Sequence, residues 1–189
     1  GVSISRMVTA GDSVAEIQWA LTATTAAADL VICTGGLGPT SDDLTAEAVA
    51  AWSGRALYDD SVALAQVEAR YTAHGRVMNP ANRKQARIPE DAELLENRWG
   101  TAPGFVVTES ECTVVCFPGI PSEMHRMFDA YLVQMIERLR SDAAPCLHRI
   151  RTIGVGESHI QDRLKDVDLG AAELGFRCHL PEVQVKLRF

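Results

Sequence analysis

The chain has no apolar run long enough to cross a bilayer and no N-terminal secretory pattern, so a membrane partner is not expected and a cytoplasmic protein is. Basic residues are in short supply. Eighteen Lys and Arg face twenty-five Asp and Glu, and the net charge of −7 argues against nucleic acid as a partner. Five cysteines, an odd number without framework spacing, read as free thiols rather than a disulfide scaffold. Internal repeats and low-complexity segments are also missing. What remains is 47% hydrophobic residues in 189, enough to build one ordinary domain with a small appendage. The chain opens on Gly rather than Met and is read as a piece of a longer protein.

The most informative stretch is Val31-Ile-Cys-Thr-Gly-Gly-Leu-Gly-Pro-Thr-Ser-Asp-Asp-Leu-Thr45. An apolar strand runs into a glycine-rich loop and then into a helix start with two adjacent carboxylates. Unpaired amides at such a junction attract anions, and glycines let a ligand approach the backbone. Pro39 stiffens the loop. No Lys follows the glycines, which excludes a Walker loop, and the dinucleotide pattern G-x-G-x-x-G is absent.

Val2 to Thr9 is β-branched enough to predict a strand. Ser13 and Glu16 form a capping box for a helix with Val14, Ile17 and Leu21 on its apolar stripe. Leu30 to Cys33 is a continuous apolar run, as expected of a strand covered on both faces. Helices are predicted over 42–53, ending at Gly54, and over 61–74, ending at Gly75, with a short one over 79–86. Phe105 to Val107 and Val114 to Phe117 read as strands. Pro121 opens a long helix carrying Met124, Met127, Phe128, Tyr131, Leu132, Met135, Ile136 and Leu139. This alternation predicts an α/β fold, a mostly parallel sheet with helices on both faces, over residues 1–144. Ser141 to Pro145 reads as a linker. Residues 145–189 then give a strand (147–153), a helix (157–167) and an alternating strand (183–189), a small and incomplete α+β unit. Arg149, Arg151, Lys186 and Arg188 read as a solvated sheet face.

Four motifs in order, Thr34 to Thr45, Asn79-Pro-Ala-Asn-Arg-Lys-Gln-Ala86, Gly100-Thr-Ala-Pro-Gly-Phe105 and Pro118-Gly-Ile-Pro-Ser-Glu-Met124, resemble the competence/damage-inducible CinA family. Gly154-Val-Gly-Glu-Ser158 is similar to that family's turn into its small middle domain. The resemblance implies a three-layer α/β/α unit like molybdenum-cofactor biosynthesis domains, whose relatives bind molybdopterin. It also implies metal-dependent ADP-ribose pyrophosphatase activity, a divalent cation (Mg, Mn or Co) and a dimer or trimer. Asp43 matches a catalytic aspartate of related adenylyltransferases, and Asp12 a second acidic position. The family normally begins with another strand and helix before the first residue here, whose loss would leave an exposed sheet edge. Larger members add an amidase domain to which nothing here corresponds.

Cleaving a diphosphate requires neutralised phosphate oxygens and an aligned water. The amides of Gly35, Gly36 and Gly38 and the Thr40 hydroxyl are candidates to hold a phosphate. Asp43, with Asp42, is a candidate metal ligand or base, against the alternative that both simply favour a helix N-terminus. Arg83 is a candidate phosphate ligand, with Asn79 and Asn82 offered to ribose or base, against a solvated helix face. Gly119 and Ser122 can form a second anion-binding helix start, and Glu123 can bind metal or cap that helix. Cys33 reads as a buried small hydrophobe, and Cys112 and Cys116 lack partners for zinc. The expected ligand is a nucleotide or pterin phosphate. A hydrolase, a molybdopterin-binding module without chemistry and an adenylyltransferase are the competing readings.

Overall fold

A computed structural model of the chain describes residues 2–139 and 146–189. Residues Ser3–Leu139 form one compact unit, and residues 146–189 fall in a second. The expected linker at Ser141 to Pro145 lies outside the described residues.

In the first unit, Ser13 caps α1 (Val14–Thr25) through a hydrogen bond from the Glu16 amide to its hydroxyl at 3.2 Å. The predicted box is only half formed: the Glu16 carboxylate accepts from the Gly11 amide at 2.8 Å, while the Ser13 amide donates to the Gly11 carbonyl at 2.8 Å. β1 (Leu30–Thr34) follows, then α2 (Thr45–Ser53), which stops where Gly54 takes a left-handed φ of 69°. β2 (Leu57–Asp59) leads to α3 (Ser61–Ala73), capped by Asp60. A 3-10 helix (Pro80–Ala86), β3 (Arg87–Pro89), β4 (Glu93–Leu95), β5 (Gly104–Glu109) and β6 (Cys112–Phe117) come next. The long apolar helix is α4 (Pro121–Met127), a π turn (Phe128–Leu132) and α5 (Val133–Leu139) in succession.

The main sheet has the order β1-β6-β5-β4, with β2 and β3 paired apart from it. β1 and β6 run parallel, joined by a long crossover; β5–β6 and β4–β5 are antiparallel, as hairpin connections require. Alternate side chains serve two apolar layers. Phe105, Val107, Val114 and Cys116 pack with Leu21 and Val49 from α1 and α2. Val106, Val115 and Phe117 pack with Met127 and Leu132 from the long helix. Helices on both faces of one sheet give the α/β/α layering expected from the sequence.

Two expectations need correction. Val2 to Thr9 is not a strand: it has no paired neighbour among the described residues, and Ile4 is 82% exposed. β1 is an edge strand, and it is not covered on both faces. Ile32 is 44% exposed while its register partner Val115 is fully buried. The layer that covers β6 and β5 reaches β1 at Leu30 and leaves Ile32 open.

The second unit is a three-stranded antiparallel sheet, β7 (Leu147–Ile153), β8 (Glu173–His179) and β9 (Glu182–Arg188), in the order β7-β9-β8. α6 (Glu157–Leu164) covers one face through Ile160, against Val183, Val185 and Phe176. No described helix is long and apolar enough to span a membrane.

Candidate functional site

β1 and β6 end side by side, with Thr34 opposite Phe117, and both turn at glycine. The Gly35 amide donates to the Phe117 carbonyl at 3.0 Å, and the Thr34 hydroxyl to the Pro118 carbonyl at 3.1 Å. Gly35 and Gly36 hold φ values of 97° and 68°, where a side chain is strained. A Cβ on Gly119 would stand 3.1 Å from the Gly35 Cα, so the two turns touch backbone to backbone. Thr45 then fastens the return of the loop, its hydroxyl donating to the Gly35 carbonyl at 2.8 Å and its amide to the Gly36 carbonyl at 3.1 Å. In a parallel pair of this kind, ligands collect at the carboxyl ends of the strands.

Within the loop, the Thr40 amide donates to Asp43 Oδ2 at 2.9 Å. The Thr40 hydroxyl lies against both the Asp42 and the Asp43 carboxylates, and its one proton serves either in turn. Burial pushes the Asp43 carboxyl up. The Thr40 hydroxyl and amide, the Gly38 amide and the Lys84 charge outweigh that and hold it below its usual range, so Asp43 is ionised. Lys84 ties the loop from outside. Its Nζ donates to the Thr40 carbonyl at 2.7 Å and the Asp43 carbonyl at 2.6 Å, and pairs with Glu47 at 3.6 Å.

The expected cradle is therefore narrower than the sequence suggests. The Gly35 amide is taken by Phe117 and the Thr40 amide by Asp43; among the described residues, no protein acceptor meets the Gly36 or Leu37 amide. Beside the loop a cleft lined by Gly36, Gly38, Asp43, Lys84 and Phe105 has a free volume of about 10 Å³, room for roughly one water. Asp42 and Asp43 lie in the loop ahead of α2, which begins at Thr45.

The remaining candidates are engaged elsewhere. Asn79 caps the 3-10 helix, its Oδ1 accepting from the Ala81 amide at 3.0 Å. Asn82 is buried, and its Nδ2 donates to the Tyr71 hydroxyl at 2.6 Å and to Gln85 at 3.3 Å. Arg83 pairs with Asp59 at 2.8 Å and is largely exposed. Asp12 is exposed just before the α1 cap. Ser122 is exposed in the first turn of α4. Glu123 accepts from Asn97 Nδ2 at 2.8 Å and lies where a Gly100 side chain would start, a structural clasp on that loop. Among the described residues no three His, Cys, Asp or Glu side chains gather as a metal cage. The residue that sequence reasoning passed over is Lys84. Its neighbour Arg83 drew the attention, and only the 3-10 geometry separates the face that meets the loop from the face that meets Asp59.

A family model described as a probable molybdopterin binding domain matches residues 1–138. A CinA-like protein of Anaeromyxobacter sp. (strain Fw109-5) is 42% identical over 190 residues, taking in 98% of this chain and 46% of the relative. A CinA-like protein of Geobacter sulfurreducens is 39% identical over 191 residues, with 100% and 46% covered. The chain thus spans less than half the length of these relatives. Among solved structures, the crystal structure of the protein CinA, of unknown function, from Thermoplasma acidophilum is 36% identical. It superposes with a TM-score of 0.60 over 66% of this chain and 73% of that one.

Proposed function

The chain belongs to the probable molybdopterin binding domain family, as a CinA-like protein, and we propose that it binds a nucleotide or pterin diphosphate on the Gly35–Thr40 loop and hydrolyses a diphosphate of the ADP-ribose type. The observation that carries this is the placement of an ionised Asp43 beside a glycine turn at the carboxyl ends of the parallel pair β1–β6. The Gly36 and Leu37 amides, which meet no protein acceptor among the described residues, are the donors left to a phosphate, and such preset donors suit developing phosphate charge. Asp43 orients the attacking water, whose oxygen bonds to one phosphorus while the bridging P–O bond breaks. AMP and ribose 5-phosphate are the products.

A divalent cation fits the donors present. Asp42 and Asp43 are hard oxygen ligands on one loop, and Mg²⁺ commonly takes one or two carboxylates with the remainder from water and substrate phosphate. Bound there, it would neutralise phosphate charge. Lys84 holds the backbone of the same loop and so keeps Asp43 in register.

The test is ADP-ribose turnover by the full-length protein with Mg²⁺, Mn²⁺ or Co²⁺, followed as AMP release. Loss of AMP release in Asp43→Asn with retained ligand binding supports hydrolysis; no turnover in any metal overturns it. One observation favours the second reading, a binding module without chemistry: the Asp43 carboxylate is already satisfied by Thr40 and clasps its own loop. That reading predicts pterin-phosphate binding by wild type and Asp43→Asn alike, with no product from either.

A further inference from the structure

Two thiols meet at the root of the site. Cys33 on β1 and Cys116 on β6 are register partners across the parallel pair. They belong to the same apolar layer beside Phe105 and Val114. Adjacent strands lie roughly 4.8 Å apart. That is inside the Cα separation of about 4.4–6.8 Å that a disulfide spans. Cys33 packs against the cluster to which Cys116 belongs. The two differ in access: Cys116 is fully buried, whereas Cys33 is half-buried. The other cysteines are not so placed. Cys112 is four residues earlier, at the start of β6, and Cys146 and Cys178 belong to the second unit.

We propose that Cys33 and Cys116 are a redox-modifiable pair that closes to an intramolecular disulfide under a peroxide and reopens with a dithiol. The Cys33 sulfur attacks the peroxide, an S–O bond forms as the O–O bond breaks, and the departing oxygen leaves as water. The Cys116 sulfur then attacks the Cys33 sulfenic acid; the S–S bond forms, the S–O bond breaks, and the Cys116 proton leaves with the oxygen as a second water. Two thiols and one peroxide give one disulfide and two waters. The order of events follows from access, and hydrogen bonding from Cys116 supports it by holding the Cys33 thiol below its usual range while burial opposes. Cys33 is one residue before Thr34, and Cys116 is one before Phe117, so the bond staples both turns where Gly35 meets Gly119. The proposal stands apart from any reading of the reaction.

The experiment oxidises the wild-type chain with hydrogen peroxide, alkylates it under denaturing conditions and maps the peptides. The expected result is one species lighter by two hydrogens that links the peptides containing Cys33 and Cys116, and that dithiothreitol reverses. Cys33→Ser and Cys116→Ser each abolish the link, while Cys146→Ser and Cys178→Ser leave it. Amide exchange at Gly35, whose N–H bonds Phe117 across the staple, slows about tenfold on oxidation. Both thiols still alkylated, oxygen adducts without a link, or covalent dimers alone would overturn the pair; a linked species with unchanged Gly35 exchange would overturn the staple.

Discussion

At Gly38 and at Gly100 a carboxylate lies where a side chain would begin, Asp43 in the first case and Glu123 in the second. The surroundings differ. Glu123 comes from a distant helix and meets Asn97, which is 5% exposed and uses both ends of its amide. Its Oδ1 accepts from the Trp99 and Gly100 amides at 3.0 and 2.9 Å, and its Nδ2 also donates to the Ala102 carbonyl at 2.8 Å. Arg70 and Gln85 bind the same loop, at Gly100 and Thr101. Asp43 comes from its own loop, is half-buried, and is held by one hydroxyl and a few local amides. The clasp at Gly100 thus has a buried partner, Asn97, and the clasp at Gly38 an exposed one, Thr40. That difference sets the cost of opening each, because a buried polar group cannot exchange a protein partner for water without loss.

The largest effect is expected where that framework is cut. Asn97→Ala strands the Trp99 and Gly100 amides and the Glu123 carboxylate, and destabilisation by about 3–5 kcal/mol should appear as a lower urea midpoint. Gly100→Ala should follow it, since moving the Glu123 carboxylate aside breaks its bond to the buried Asn97. Gly38→Ala should cost only about 1 kcal/mol, because Asp43 can swing into solvent. Equal losses for the two glycines would break the comparison.

Next in size is the chemical difference. Asp43→Asn keeps the shape of the clasp and removes its charge, so AMP release should fall by about 10²–10³-fold with little change in urea midpoint. Glu123→Gln should do the reverse, lowering stability by roughly 1 kcal/mol and sparing turnover. A fall in turnover for Glu123→Gln as large as that for Asp43→Asn would place both carboxylates at the reaction. Lys84→Met comes below these. Losing its two carbonyl contacts should cost about tenfold in turnover, and should speed amide exchange across residues 36–43.

Much of the framework was legible in the residues because its signals are local. The Ser13 cap, the Gly54 stop and the alternation of the last strand each involve neighbours in sequence, and each appears in the structure. The three-residue strands β2, β3 and β4 gave no period to read, and β3 carries a proline. β8, with Gly175 in its middle, was missed for a similar reason. Val2 to Thr9 failed in the opposite direction: β-branched residues fit a strand, but a strand needs a partner, which composition does not reveal. At the candidate site, the glycine turns could be read because glycine and proline constrain the backbone on their own. Asn82 and Arg83 could not be told from ligands, since an amide or guanidinium looks the same whether Tyr71, Asp59 or a phosphate is its partner. Lys84 was hidden because its acceptors are backbone carbonyls more than forty residues away.

The smallest effect concerns acid. The Asp43 carboxyl is held below its ordinary value of 3.8 in the folded chain, so between the folded and unfolded values the unfolded chain binds the extra proton. Stability from this group is therefore fully present above the unfolded value and is lost as pH falls through the folded one. Asp43→Asn carries no such titration. The stability difference between wild type and Asp43→Asn should hold steady above about pH 5 and narrow towards about pH 2, read as urea midpoints at each pH. Because the group is only half-buried, the change should be slight and should shrink further in high salt. Glu123→Gln supplies the contrast, since its clasp relies on burial and on Asn97 rather than on a net charge beside Lys84. Its deficit should survive added salt, and a salt-sensitive deficit there would mean that the two clasps are held by the same force after all.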